Sequence, residues 1–317
     1  MAAANLSELV TTTARRWILK LEDNVSNDNG LFQYLKSKGR IEKWTGGGRT
    51  IVETISYGTN SSAQWYADYD TFTPPTTSEV ADGAEYSWKQ LGGFISVSGK
   101  EERMNRSDEQ RISFTKARMK QLTAQLKNIA ATGLYATGSG NGGKEFGGLQ
   151  LLVADDPTAA GTVGGINQVT NTWWRNKFSA SAATSSSTIV GRMNSMWLAI
   201  KRGADVPTLW VCDDDMFGYY EAALQALNRF TSQDEADAGF TGYKYKGKSV
   251  IYDDQCPNKH MYALNLEELT LRTIDDRMFD VGDPRTISNA DYKVTPVFMM
   301  GQLTTGRRAG HGVIIAS

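Results

Sequence analysis

Hydrophobic positions recur at helical spacing in several stretches of the chain. Leu6, Leu9, Val10, Trp17, Ile18 and Leu21 fall on one face of residues 5–24, with Arg15, Arg16 and Lys20 between them, which predicts an N-terminal helix. The longest helical pattern is 107–132, with Ile112, Met119, Leu122, Leu126 and Ile129 as its apolar stripe. Ser107 and Gln110 form a capping box, Asp108 and Glu109 sit in the first turn where the dipole favours acids, and Gly133 or Gly138 supplies the stop. About 25 residues make a rod of roughly 38 Å. A third pattern places Ile189, Val190, Met193, Met196, Trp197 and Ile200 inward over 188–202. A fourth helix is expected at 215–229, capped by Asp213 or Asp214.

Between these, the pattern changes to the strand period. Ile51, Glu53, Ile55 and Tyr57 alternate with Val52, Thr54 and Ser56, and a second strand reading resumes near Tyr86 and Trp88. The polar tip between them carries Trp65, Tyr66, Tyr69 and Phe72, followed by Pro74-Pro75. This reads as a long β-hairpin over 46–88, too thin to own a core. Its aromatics therefore call for a partner surface. Residues 24–48 read as a polar connecting arm, and SASAATSSST (179–188) as a linker or helix approach. Strands are expected at 207–212, 248–252, 261–264 and 269–274, with two or three more in DYKVTPVFMMGQLTTGRRAGHGVIIA. Helices and strands mix without a regular βαβ repeat, so the fold class is α+β.

Charge sharpens the hairpin. Residues 46–88 hold one basic residue, Arg49, against six acids (Glu53, Asp68, Asp70, Glu79, Asp82 and Glu85), whereas 89–133 hold nine basic residues against four acids. Adjacent blocks of opposite sign can pair within one chain or between copies. Over all 317 residues the net charge is −1, which argues against a strongly basic nucleic-acid binder. The N-terminus shows no secretory signal pattern and no stretch reaches the apolar length of a membrane span, so Cys212 and Cys256 are expected as reduced, buried thiols.

Candidate chemistry is thin. Gly138, Gly140 and Gly143 match a dinucleotide-binding glycine pattern, but follow a helix rather than a strand, so a flexible connector is the better reading. Asp155-Asp156, Asp213-Asp214-Asp215, Asp253-Asp254 and Asp275-Asp276 could hold a divalent cation or supply paired acids. Each lies at an element end, where Asp caps helices and makes turns. His260 and His311 lie in no metal or triad context and read as surface or interface residues. Trp173, Trp174, Trp197 and Trp210 read as core or interface anchors. No catalytic, cofactor-binding or metal-ligating residue is therefore assigned, and no cofactor is expected.

The element order, with FGGLQLLVADDPTAAGTVGGINQVTNTWWRNKF (146–178), PTLWVCDDDMFGYYE (207–221) and the ending from Asn289 to Ala316, resembles the major capsid proteins of tailed bacteriophages, the Hong Kong 97 fold. The resemblance implies an N-terminal arm (1–45), an extended E-loop (46–88), a P domain with a spine helix (89–179), an A domain (180–275) and strands returning to the P domain (276–317). It implies a structural protein, not an enzyme. Such a subunit self-assembles into pentamers and hexamers of an icosahedral shell around double-stranded DNA, in the virion, after assembly in the host cytoplasm. A scaffolding protein, a portal and a decoration protein are its implied partners. Some members cross-link subunits through an E-loop lysine. Here no lysine lies between Lys43 and Lys89, so cross-linking is not expected. Arg15, Arg16 and Lys20 could face packaged DNA. Two rival readings are an encapsulin-type nanocompartment shell and an Asp-rich metal-dependent hydrolase.

Overall fold

The computed structural model describes residues 30–45, 47–58, 65–71, 81–104, 108–181, 184–226, 243–286 and 291–316. The expected helix at 5–24, with Arg15, Arg16 and Lys20, lies outside them, as do Ser107, Phe72, Pro74-Pro75 and Glu79.

The described chain opens with helix α1 (Gly30–Ser37) and strand β1 (Ile41–Trp44), within the polar stretch 24–48 expected as a connecting arm. Leu31 and Leu35 are fully buried, and the Asp253 carboxylate accepts the Leu31 N–H at 2.8 Å. The helix is thus capped from 222 residues away, beyond the reach of any local pattern. Strands β2 (Thr50–Ser56) and β3 (Ala81–Ser87) follow and pair antiparallel. Next come β4 (Lys89–Ser98), the short helix α2 (Gly99–Met104) and the long helix α3 (Asp108–Gly133).

The buried face of α3 differs from the expected stripe. Ala124, Leu126, Ala130 and Ala131 face inward, whereas Ile129 is 48% exposed. The helix lies close against β4 at Leu122. A Cβ added at Gly93 of β4 would stand 2.7 Å from Leu122 Cδ1, and one at Gly92 would meet Phe298 at the same distance. Glycine therefore persists inside a strand it would otherwise weaken.

The connector begins with α4 (Leu149–Leu152) and the small hairpin β5 (Thr162–Val163) and β6 (Ile166–Asn167). It ends in β7 (Lys177–Ser181), which takes the first residues of the expected linker because they pair in parallel with the chain's last strand. Helix α5 (Ile189–Ile200) buries Ile189, Met193, Met196 and Ile200. Strand β8 (Leu209–Cys212) is wholly buried and runs into α6 (Asp214–Ala226), where Asp213 Oδ1 accepts the Met216 N–H at 3.1 Å as a cap. The remainder is β9 (Tyr243–Tyr245), β10 (Lys248–Tyr252), β11 (His260–Leu264), β12 (Leu269–Val281), β13 (Arg285–Thr286), β14 (Tyr292–Thr305) and β15 (Gly312–Ala316).

Two sheets organise these elements. One has the order β1-β12-β14-β13, with β4 also on β14; the other runs β7-β15-β11-β8-β10-β9. A division at 275/276 cuts through β12, and one at 179/180 cuts through β7. The closing strand β15 does not follow β14 into the first sheet. Its Val313 and Ile314 are fully buried between β7 and β11 in the second. A run this apolar on both faces suits an interior strand. No described helix is long and apolar enough to cross a membrane.

Candidate functional site

The hairpin is built in two parts. At its root, Ile51, Ile55, Ala84 and Tyr86 are buried in the main core. Burying a large apolar side chain contributes on the order of 1.5–3 kcal/mol, so the root belongs to its own subunit. The expectation of a hairpin without a core holds only away from this root. Polar contacts reinforce the attachment. Arg272 of β12 donates Nε to Glu53 Oε1 at 2.7 Å and also reaches Glu42, while Thr304 donates to the same Glu53 oxygen at 2.9 Å. The Tyr86 hydroxyl donates to Thr305 O at 3.0 Å, and Glu85 N–H to Gly164 O. Tyr57, where the hairpin leaves the body, stacks flat on Trp173 with ring centroids 4.5 Å apart.

The tip contrasts with this. Trp65 and Tyr69 stand fully exposed and Tyr66 is 70% exposed. Asp70 accepts the Ala67 N–H at 2.7 Å, fixing a local turn that presents the rings. Three large aromatics on one short segment form an apolar patch of the kind that monomers seldom leave uncovered.

The opposed charge blocks are partly satisfied within the subunit. Glu53 serves Arg272, and Arg118 of α3 pairs with Glu101 of α2 at 3.2 Å. Lys89 donates to Gly143 O. Asp68 and Asp70 remain at the exposed tip.

Behind the hairpin lies a buried polar node. Arg308 is fully buried and donates to Leu152 O at 2.7 Å, Gln168 Oε1 at 3.1 Å and Asn176 Oδ1 at 3.1 Å. These acceptors are all neutral, and burial pulls its pKa down to about 10. His311 is also fully buried within the chain, contrary to the surface or interface position expected for it. The Asn265 N–H can only donate, so Nδ1 accepts at 3.2 Å and Nε2 carries the proton toward Thr305 Oγ1 at 3.1 Å. Burial, then the Arg308 charge, lowers the His311 pKa to about 3 and keeps the ring neutral. Trp174, buried beside this node, donates Nε1 to Val163 O. The connector is thus fastened at both ends, by Trp174 within and by Trp173 against the hairpin.

The aspartate clusters act chiefly as caps and ties. Asp156 accepts the Thr158 N–H at 2.9 Å. Lys43 pairs with Asp275. Asp213 caps α6, and Asp253 accepts from Leu31 N, Gln255 N and the Tyr135 hydroxyl. Burial raises the pKa of both Asp213 and Asp253, against the lowering effect of those donors. The two aspartates, with Asp214, Asp215 and Asp254, line a pocket of about 470 Å³ at the carboxyl ends of the parallel strands β8 and β10. Asp155 departs from the cap-and-turn expectation, because it pairs with His260 at 3.2 Å. Gly138, Gly140 and Gly143 lie between α3 and α4, so the strand required before a phosphate-binding loop is a helix here. Cys212 and Cys256 are buried free thiols, with pKa values raised by desolvation. Trp210 is buried against Tyr245, and Trp197 lies under the Lys246 ammonium at 3.8 Å.

No protein-family model and no curated protein matches the sequence. Solved structures do. The capsid asymmetric unit of cyanophage A-1(L) superposes with a TM-score of 0.71 at 18% identity, covering 96% of each chain. The capsid of an empty GTA particle gives a TM-score of 0.63 at 13% identity, over 99% of this chain and 98% of that one. The chain has the Hong Kong 97 capsid fold. An encapsulin, SrpI from Synechococcus elongatus PCC 7942, shares it with a TM-score of 0.59 at 10% identity, over 99% and 96% of the two chains. The Hong Kong 97 fold was legible from the sequence, but the node around Arg308 and His311 was not. Its one sequence signal is an Arg-Arg pair in an otherwise apolar ending.

Proposed function

We propose that this chain is the major capsid protein of a tailed bacteriophage, a structural subunit that assembles into pentamers and hexamers of an icosahedral shell around double-stranded DNA. The observation that carries this reading is the divided hairpin, rooted in its own core and bearing Trp65, Tyr66 and Tyr69 in solvent at its tip. A side chain so exposed in the subunit gains burial only against another molecule. The full-length likeness to phage capsid subunits supplies the class of molecule. In this reading the hairpin is the E-loop, the five-stranded sheet with α3 is the P domain, and the six-stranded sheet with α5 and α6 is the A domain. Near-zero net charge suits a wall that holds DNA without gripping it. A scaffolding protein, a portal and a decoration protein would complete the particle in the host cytoplasm.

Covalent cross-linking is not part of the proposal. The lysines nearest the hairpin are committed elsewhere, Lys43 to Asp275 and Lys89 to Gly143 O. Negative-stain microscopy of the purified chain, with and without a scaffold, tests the main reading. Closed shells of uniform diameter support it, and persistent monomers at high concentration in both conditions reject it. On a denaturing gel those shells should run as one band near 34.9 kDa; a ladder would reject the uncross-linked state. The encapsulin likeness favours a second reading, a nanocompartment around enzymes. Shells that enclose a single enzyme and no DNA would select it.

A further inference from the structure

The loop from Asp253 to His260 joins the two halves of the subunit. Asp253 holds the start of α1 and the Tyr135 hydroxyl just beyond α3. Gln255 accepts from Thr132 in the last turn of α3. Lys259 N–H donates to Asp213 at the end of β8, and Lys259 O accepts from Ala316 at the end of β15. His260 then reaches the connector. Its Nε2 lies 3.2 Å from both oxygens of Asp155, and its Nδ1 lies 2.6 Å from Asn258 O.

The pairing of these atoms fixes the proton count. A carbonyl oxygen only accepts, so Nδ1 must carry a hydrogen. A neutral ring would then turn the Nε2 lone pair toward a carboxylate. Protonating Nε2 converts that repulsion into a charge-assisted hydrogen bond shared by both oxygens. We propose that His260 and Asp155 form a proton-dependent clasp, closed while the imidazole carries both protons, that fixes the connector against the six-stranded sheet.

The groups facing the ring are Asp155 from the connector, Asp213 from the end of β8, and the Tyr262 ring stacked beneath it on β11 with centroids 5.9 Å apart. Burial works against the charged ring, but the bonds to Asp155 and Asn258 and the charges of Asp155 and Asp213 outweigh it, leaving the pKa raised. A group that binds its proton more tightly when folded contributes fully below its unfolded value, about 6.5 for histidine. That contribution is lost as pH climbs through the raised value. The clasp therefore holds in mildly acidic solution and opens as pH climbs past that raised value. The clasp needs only the folded chain and stands apart from the proposed shell function.

Hydrogen exchange of the full-length chain, followed by mass spectrometry between about pH 6 and 9 and corrected for intrinsic exchange, reads the clasp directly. Peptides covering 149–160 and 253–264 should lose protection together as pH rises. Asp155→Asn should flatten that step, whereas Asp156→Asn should leave it in place, because the described hydrogen bonds of the Asp156 carboxylate stay within its own turn. A wild-type chain without the step, or an Asp155→Asn chain that keeps it, overturns the proposal. Histidine NMR of the unassembled wild-type subunit decides the matter even if the variant fails to fold. His260 should titrate above the ordinary value while His311, buried and neutral, stays silent. A His260 midpoint at or below the ordinary value overturns the clasp.

Discussion

The root and the tip of one hairpin obey opposite rules. Strands β2 and β3 sink Ile51 and Tyr86 into the core and tie Glu53 to Arg272, whereas a few residues further on Trp65 and Tyr69 have no cover at all. Both ends carry large apolar side chains, so hydrophobicity alone does not separate them. What separates them is which molecule completes the packing. The root is completed by β12, β14 and the connector of its own chain, and its variants should be read as changes in folding. On the proposed shell function the exposed tip is left for another molecule, and its variants should then be read as changes in association.

The largest effect on folding should come from the root. Ile51→Ala empties a fully buried site in the main core and should lower subunit stability by about 2–5 kcal/mol, measured by denaturant unfolding of the unassembled chain. A loss below that range would mean the root is a loosely attached arm, and the contrast with the tip would collapse. Glu53→Gln should come next. It removes the charge from the network joining Arg272, Glu42 and Thr304, and charge-assisted bonds of this kind contribute about 1.5–3 kcal/mol. Arg272 keeps Glu42, so the lower end is expected. Tyr57→Leu should cost less again, about 0.5–1.5 kcal/mol for the lost stack on Trp173. Its more telling readout is trypsin cleavage at Arg49, which should quicken if Trp173 holds the point where the hairpin leaves the body.

Much of this layout could be read from spacing. The helix at Ile189–Ile200, the long helix ending at Gly133 and the buried strand at Leu209–Cys212 all follow from local periodicity, and so does the class of fold. The failures share a different cause. Helix α1 is eight residues long and owes its start to Asp253, far along the chain. Strand β4 carries Gly92 and Gly93, which local propensity counts against a strand, because Phe298 and Leu122 occupy the space of their missing side chains. His311 looked like an ordinary surface residue because its partners, Asn265 and Thr305, come from two separate strand ends. At the candidate site, the aromatic tip was visible as composition. The division of Trp173 and Trp174 between hairpin and node was not, since it depends on where β5, β6 and Tyr57 arrive.

The smallest expected effect on folding is the most informative for function. Replacing Trp65 by Ser removes a fully exposed ring that makes no described contact with the body of the subunit. Unfolding of the isolated subunit should therefore be unchanged within error, because surface substitutions away from packed features rarely register. Particle formation should nevertheless fall, since a buried aromatic at the centre of an interface is the usual carrier of its binding energy. Light scattering against concentration, run beside the unfolding curve, separates the two. A higher threshold concentration with an unchanged unfolding midpoint places Trp65 in a contact between copies. A shift of both would mean that the tip folds back onto its own subunit in solution. No change in either would move the association surface elsewhere, with the groove between β4 and the end of α3, lined by Leu91, Ile129 and Phe146, the next place to test.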